Sequence, residues 1–185
     1  AFLNSPHIAR IVLVLHSDDM GLAPGYEGHD KVSVVTGGDT RAASVRAGLE
    51  ALQGTGTQRV LIHDVARPLV DGALIARVCD ALDSAPGAAP GLAMSDALWR
   101  SDAGLVTGIA ARDGLVRAQT PQGFGFAAIL AAHRAHTGAA ADDMEIARAA
   151  GIDVTIVAGD ERTPNITTQA AFAPAPSSEK ISGLS

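Results

Sequence analysis

The chain has 185 residues and a net charge of −6, with 47% hydrophobic but only 3% aromatic side chains. This length suits one domain with an aliphatic core, and the negative charge argues against a nucleic-acid partner, which needs basic surface. No apolar run reaches the roughly 20 residues that span a bilayer, so no membrane partner is expected. The single cysteine, Cys79, is interpreted as a core residue, and its isolation is compatible with a cytoplasmic location.

Apolar runs separated by amphipathic segments predict alternating strands and helices. Arg10 to Leu15 predicts a buried strand, and Lys31 to Val35 predicts a second strand that ends at two glycines. Asp39 is expected to cap a helix that runs to about Leu52. A third strand is predicted at Arg59 to His63.

The middle of the chain predicts a helix, a connection and an excursion. Asp71 is expected to cap a helix whose inner face carries Leu74, Val78 and Leu82. Ser84 to Pro90 is interpreted as a flexible connection, and Gly91 to Ser95 as a further strand. The segment Asp96 to Gln119 is interpreted as an arm that leaves the main sheet, with hairpin turns at Ser101-Asp102 and Asp113-Gly114.

The last third predicts two helices, at Phe124 to His136 and Asp142 to Ala150, and a strand at Asp153 to Val157. From Gln169 onward the composition shifts to Ala, Pro and Ser, which is typical of a disordered tail. The pattern therefore predicts one α/β domain over residues 1–168 with a mostly parallel sheet, and a tail over 169–185.

In such sheets, ligands bind at the carboxyl ends of strands. The first candidate segment there is Gly37-Gly38-Asp39-Thr40-Arg41 with Ser44. Paired glycines allow a ligand to approach the backbone, and a following helix N-terminus favours an anion. An ordinary strand-to-helix turn explains the same segment equally well.

The second candidate segment runs from His63 to Pro68, where a buried strand ends in a carboxylate. Asp64 is a natural ligand for Mg²⁺, which takes one or two carboxylates together with phosphate oxygens and water. Arg67 offers a planar fork for phosphate. In the alternative, Asp64 and Arg67 pair with each other. His63 is expected to be packed rather than catalytic.

The third candidate segment combines Arg112 with Gln119 to Phe124, where Thr120 precedes a proline. A rigid polar turn into the next helix competes with a binding role. Arg112 and Arg117 are alternatively solvated surface charges. Asp142 and Asp143 are interpreted as partners of a helix dipole in preference to metal ligands.

Taken together, these segments resemble the 2-C-methyl-D-erythritol 4-phosphate cytidylyltransferase family of non-mevalonate isoprenoid synthesis. The similar stretches are VTGGDTRAASVRAGLEAL, VLIHDVARPLV, RDGLVRAQTPQGF and ADDMEIARAAG, in the family's order. The sequence around ALWR and AQTPQGF is also similar to the cytidylyltransferase half of the bifunctional form, which carries a cyclodiphosphate synthase domain. The resemblance implies a Rossmann-like three-layer α/β/α nucleotidyltransferase fold.

The resemblance also implies that an oxygen of the sugar phosphate attacks the α-phosphorus of CTP and pyrophosphate leaves. By position, Asp64 would hold Mg²⁺, and Arg67 and Arg112 would bind or position methylerythritol phosphate. The residues that would contact or lie against the nucleotide are Gly37, Gly38, Asp39, Ser44 and Val65, and Thr120 lies in the matching turn. The arm at 96–119 implies a homodimer with shared sites.

The sequence also departs from the family pattern. Nothing before Arg10 resembles the family's Gly-rich basic loop, and Pro164 and Thr167 stand near Asn165 where the family has an acid and a Lys. We therefore interpret the chain as N-terminally truncated and expect little turnover, because losing preorganised donors typically costs about 10²–10³ in rate. A non-catalytic relative that keeps the dimer surface, and a cytidylyltransferase for another polyol phosphate such as ribitol 5-phosphate, remain alternatives.

Overall fold

The computed structural model of the chain describes residues 1–26, 28–138, 140 and 142–167. The tail predicted at 169–185 lies outside these residues. Within the described part, no helix combines the length and the apolar character needed to cross a membrane.

Strands and helices alternate between residues 32 and 93, as the sequence predicts, and a run of consecutive strands follows. The strands are β1 (Ile11–Leu15), β2 (Val32–Thr36), β3 (Arg59–Ile62), β4 (Gly87–Ala93), β5 (Leu98–Asp102), β6 (Leu105–Ala110), β7 (Val116–Ala118), β8 (Gln122–Gly125) and β9 (Val154–Ala158). The helices are α1 (Arg41–Ala51), α2 (Gly72–Ala81), α3 (Phe126–Ala135) and α4 (Asp143–Ala149), with 3₁₀ turns at Phe2–Asn4 and Ser17–Gly25.

The predicted α/β fold is confirmed, but its strands divide among three sheets in the described residues. The largest sheet has the order β3-β8-β4-β7, with β9 paired to β4. Within it, β3, β4 and β9 run in one direction while β7 and β8 run in the other. The strands β1 and β2 pair in parallel as a separate sheet, and β5 pairs with β6 as the third. The prediction of parallel strands therefore holds for part of the fold, and β7 and β8 introduce antiparallel pairs.

A cavity of about 900 Å³ lies between β1 and β3. No strand of the described residues fills this space, so β1 pairs with β2 alone and β3 with β8 alone. The cavity wall includes apolar side chains of β1 and α1, among them Val12, Val14, Val45 and Leu49. The strands of the described residues therefore do not form one continuous sheet at this point.

The predicted inner face of α2 is confirmed. Leu74 and Val78 are fully buried and Leu82 is 7% exposed. The helix begins where expected, because the Leu74 amide donates to Oδ1 of Asp71 at 2.8 Å. Burial also raises the pKa of the Cys79 thiol on this helix, which agrees with a packing role.

The N-terminus of α1 lies one residue later than predicted. Thr40, not Asp39, is the cap, and its Oγ1 accepts from the Ala43 amide at 3.1 Å. Thr40 has extended backbone angles, φ −130° and ψ 161°, which aim its short side chain at the helix start. Asp39 is therefore left exposed before the helix.

The segment assigned to a connection and the segment assigned to a turn are both buried strands. Gly87 to Pro90, predicted as part of a flexible link, form the buried start of β4. Gln122 to Phe124, predicted as a turn and a helix start, form β8, and Phe124 is fully buried. Both segments are rich in small residues, which favour a loop prediction from sequence. Tertiary packing decides whether such segments form strands.

The predicted arm exists, with different turns. The hairpin of β5 and β6 turns at Ala103-Gly104, which have φ values of 46° and 82°, and not at Ser101-Asp102. Asp113-Gly114 does form a turn, closed by the Leu115 amide on the Arg112 carbonyl at 3.0 Å. The strand that follows, β7, pairs with β4 and not with β6, so this turn is not a hairpin.

Replacing Gly123 with alanine tests whether β8 is a core strand. An added Cβ would stand 2.9 Å from each of three side chains, on Leu61, Leu82 and Val78. We expect Gly123→Ala to lower the free energy of unfolding by about 1–3 kcal/mol, as overpacking does. Gly108→Ala on β6 is the matched control, because no atom lies within 4 Å of its added Cβ. Equal urea midpoints for the two variants would contradict the placement of β8.

Candidate functional site

The predicted site residues that meet in space lie where β2 and β3 end. Arg41, which opens α1 after the Gly37-Gly38 turn, contacts Asp64, which follows β3. Thr120, just before β8, lies on the other side of Asp64. The strand-end rule therefore located a real junction of three segments.

Close backbone approach explains both glycines after β2. An added Cβ on Gly37 would stand 2.6 Å from Oγ of Ser44, and one on Gly38 would stand 2.6 Å from Cβ of Ala43. The Gly38 amide donates to Oγ of Ser44 at 3.1 Å, and the Ser44 hydroxyl lies 3.2 Å from the Gly38 carbonyl. Ser44 thus closes the turn onto the first turns of α1.

Two of the predicted nucleotide-contacting residues stand at the surface. Asp39 is exposed, and Val65 is 76% exposed. A bulky apolar side chain directed to solvent beside a half-buried carboxylate has no internal packing role. Its exposure leaves it available to lie against a ligand.

Asp64 belongs to a charge network that reaches into the protein core. Nη2 of Arg41 lies 3.0 Å from Oδ1 of Asp64 and 2.7 Å from Oδ2 of Asp143. Oδ1 of Asp143 lies 3.1 Å from Nε2 of His133, within ion-pair distance but poorly aligned for a hydrogen bond. Asp143 is fully buried, whereas 30% of the Asp64 side chain is exposed.

The charge on Asp143 is stabilised by its neighbours. Burial alone raises the pKa of Asp143, but interactions with His133 and Arg41 outweigh it and hold this pKa below its usual range. Arg41 also keeps its charge: burial opposes it, yet Asp143 and Asp64 together raise the pKa of Arg41. Asp143 and Arg41 are therefore both charged at neutral pH.

Thr120 connects Asp64 to His63. The Asp64 amide donates to Oγ1 of Thr120 at 3.1 Å, and this oxygen lies 2.9 Å from Nδ1 of His63. The Thr120 hydroxyl proton is thus free to point at Nδ1, which assigns the His63 proton to Nε2, 3.1 Å from the Arg67 carbonyl. Burial lowers the pKa of His63 and favours this neutral form. His63 is packed, as predicted.

Arg67 does not pair with Asp64, so the predicted alternative of a simple ion pair between them is wrong. Its Nη1 donates to the Thr163 carbonyl at 2.8 Å and its Nη2 to the Ala118 carbonyl at 3.1 Å. The Ile166 amide donates to the Ala66 carbonyl at 2.7 Å. Arg67 therefore ties the closing segment of the chain to the loop that carries Asp64.

Arg112 lies on the exposed arm. Arg117 lies on β7, where the chain returns to the largest sheet. Arg112 donates to the Ser95 carbonyl, and Arg117 forms an ion pair with Glu161. Neither contacts Asp64 in the described residues. The structure thus separates Arg112 from the junction within one chain.

One oxygen of Asp64 remains suited to a cation. Arg41 uses only Oδ1, and Oδ2 has no hydrogen bond among the described residues. That part of the chain contains no cluster of three or more His, Cys, Asp or Glu side chains arranged to hold a metal. A Mg²⁺ held by Asp64 would therefore need to take its remaining ligands from phosphate and water.

The sequence did not indicate the ion pair between Arg41 and Asp143 beside Asp64. Arg41 follows the Gly-rich turn but drew no assignment, and Asp143 was assigned to a helix dipole. Asp142 does cap α4, through the Glu145 amide at 3.1 Å. The sequence offers one signal for the role of Asp143. A helix cap needs only one acid, which is Asp142, so the second acid of the pair is left for another task.

Comparisons of the sequence with known proteins give one consistent family. The sequence model of the family described as "2-C-methyl-D-erythritol 4-phosphate cytidylyltransferase" matches residues 1–178. A protein of that name from Cereibacter sphaeroides is 55% identical over 175 residues, which is 94% of this chain and 78% of the relative. A "Bifunctional enzyme IspD/IspF" from Rhodobacter capsulatus is 57% identical over 90% of this chain, and the chain spans 44% of that relative.

Solved structures give the same result. The 2-C-methyl-D-erythritol 4-phosphate cytidylyltransferase from Thermus thermophilus is 33% identical, with a TM-score of 0.75, over 88% of this chain and 78% of that one. A 4-diphosphocytidyl-2C-methyl-D-erythritol synthase superposes with a TM-score of 0.82 at 28% identity, over 92% of this chain and 82% of that one.

Substitutions at Thr120 test the hydrogen-bond link between Asp64 and His63. Thr120→Val keeps the shape but leaves the Asp64 amide and Nδ1 of His63 without a partner. We expect it to lower the free energy of unfolding by about 1–3 kcal/mol. Thr120→Ser keeps the hydroxyl and is the matched control. A Val variant as stable as the Ser variant in urea titrations would show that the link contributes nothing.

Proposed function

The chain belongs to the 2-C-methyl-D-erythritol 4-phosphate cytidylyltransferase family, and from this membership we propose that it transfers CMP from CTP to 2-C-methyl-D-erythritol 4-phosphate with release of pyrophosphate. The observation that carries the proposal is the half-buried Asp64, fixed by Arg41 and Thr120 beside the Gly37-Gly38 turn. Asp64 and Arg41 line the cavity of about 900 Å³, a volume in the usual range of ligand sites.

In the proposed reaction, the protein positions reactants and neutralises charge. The phosphate oxygen of the acceptor attacks the α-phosphorus of CTP, and the bond to the β-phosphate oxygen breaks. The Gly37-Gly38 turn and Asp39 offer backbone and carboxylate groups to the cytidine, and Val65 offers an apolar surface. Holding the two reactants in line supplies much of the rate enhancement in such transfers.

Mg²⁺ is the cofactor that we propose, with Asp64 as its protein ligand. Bound there, the ion would offset negative charge on the phosphates of CTP. The protein contributes a fixed carboxylate: Arg41 contacts Oδ1 of Asp64, and Oδ2 has no hydrogen bond among the described residues. A cytoplasmic location stays a prediction from the lone Cys79.

Arg67 and Arg112 are proposed to position the acceptor phosphate, with different support. Arg67 lies next to the junction, although two of its donors are engaged by backbone carbonyls. Arg112 lies on the arm, away from Asp64. Its role in the proposal depends on a second subunit that would bring an arm to this site.

The exposed arm supports the proposal of a homodimer. Trp99 on β5 pairs with Ile109 on β6, and these side chains are 67% and 78% exposed. Leu105 and Val106 near the hairpin turn are also exposed. Adjacent exposed apolar side chains on a two-stranded arm are typical of an interaction surface.

The proposed transfer is tested by pyrophosphate release from CTP, Mg²⁺ and methylerythritol phosphate. The sequence predicts slow release by this chain, and we expect Asp64→Asn to reduce it further by about 10²–10³, since it removes a charge at the reacting phosphates. Asp30→Asn, at an exposed position, is the control with the same charge change. Equal rates of pyrophosphate release with and without the Asp64→Asn substitution would contradict the proposal. Retained CTP binding without release would favour the non-catalytic relative, and release with ribitol 5-phosphate alone would favour the other acceptor.

The proposed dimer is tested by substituting Ile109 on the arm. Ile109→Lys places a charge beside Trp99, and we expect dimerisation to weaken at least about tenfold, as loss of a central apolar contact does. Sedimentation velocity measures the dimer, and the emission of the chain's one tryptophan reports burial of the arm. Leu22→Lys, at a 57% exposed leucine outside the arm, is the control. Equal dimer fractions in both variants would exclude the arm.

A further inference from the structure

Asp143 is a buried carboxylate that no step of the proposed reaction uses. It opens α4, and its side chain is fully buried against His133, which is 1% exposed in the last turn of α3. A buried charge is costly unless it is paired. The cation that pairs with it, Arg41, comes from the start of α1. The ends of three helices therefore meet at one ionised group.

Arg41 is shared unequally between its two carboxylates. Its Nη2 lies 2.7 Å from Asp143 but 3.0 Å from Asp64, and its Nε contacts the same Asp64 oxygen at 3.3 Å. A free Arg–carboxylate pair tends to be bidentate and to occupy both oxygens. Here Nη2 also contacts the buried acid, and only Oδ1 of Asp64 is engaged.

We propose that Asp143, packed against His133, is a positioning residue that holds Arg41 off Oδ2 of Asp64 and so preserves that oxygen as a ligand for a divalent cation. The inference rests on the proposed function, in which Asp64 binds the metal. Two effects act in the same direction. Without Asp143, Arg41 is free to close over both oxygens of Asp64, and the junction loses one negative charge.

The arrangement assigns different tasks to neighbouring acids. Asp142 caps α4 from the surface and contacts neither Arg41 nor Asp64. Asp143, one residue on, is turned inward to Arg41. The two positions therefore supply a matched comparison in which the same charge is removed from adjacent residues.

Binding of Mn²⁺ alone, measured by electron paramagnetic resonance, tests the inference without requiring turnover. We expect Asp143→Asn to weaken Mn²⁺ binding by about 10–100-fold, as loss of an outer-shell partner does. Asp142→Asn keeps the cap and should change the affinity by no more than about twofold, because surface charges contribute little. Equal affinities in these two variants would overturn the inference.

Removing Arg41 as well distinguishes positioning from a general effect on the fold. Arg41→Gln/Asp143→Asn deletes one charge of each sign. The guanidinium that would otherwise pair with Oδ2 of Asp64 is then absent. We expect the double variant to recover most of the Mn²⁺ affinity that Asp143→Asn loses. Should Asp143→Asn alone not fold, the double variant carries the test, and weak binding by it when folded would overturn the inference.

The inference and the proposed function fail in distinguishable ways. Pyrophosphate release that depends on Asp64, combined with equal Mn²⁺ affinities for Asp143→Asn and Asp142→Asn, would overturn the inference alone. Absence of release, with the expected order of Mn²⁺ affinities, would overturn the transfer activity alone. Mn²⁺ binding that Asp64→Asn leaves unchanged would overturn the metal role and this inference together.

Discussion

The register between β3 and β8 is the constraint on which the candidate site depends. Arg59 lies opposite Gly125 and Ile62 opposite Gln122. Continuing this antiparallel register two residues beyond Ile62 places Asp64 opposite Thr120, and the hydrogen bond between them is observed. A slip by one residue would bring Pro121 or Gln119 to Asp64 and expose Phe124, which is now fully buried. Core packing therefore fixes the position of the carboxylate.

Local patterns predicted the elements that bury branched aliphatic side chains and failed for those built from small residues. The strand around Arg59 to His63 and the capped face of α2 carry the expected periodicity, and both are present. By contrast, β8 contains two glycines in four residues, and its place in the sheet depends on side chains of β3 and α2 that fill the space above Gly123. No window of sequence contains those contacts.

The candidate site divides in the same way. Strand-end position and residue type were sufficient to indicate Asp64, Thr120 and the glycine turn. They were not sufficient for the ion pair between Arg41 and Asp143, which are 102 residues apart in the chain. Acids are common at helix N-termini, and this local rule was enough to explain Asp143. It gave no indication of the ion pair with Arg41. Arg67 shows the opposite error. The nearby carboxylate of Asp64 suggested an ion pair, but the guanidinium of Arg67 donates to two backbone carbonyls instead.

Charge at the junction bears on how a triphosphate would be held. Arg41 offers one positive charge to two carboxylates, Asp64 and Asp143, so the three groups together carry one net negative charge. Arg67 has donors committed to carbonyls, and Arg112 and Arg117 are engaged on the arm. Among the described residues, the immediate surroundings of Asp64 thus provide little uncommitted positive charge for phosphate. Under the proposed function, a divalent cation at Asp64 would offset the negative charge that otherwise repels a triphosphate from this junction.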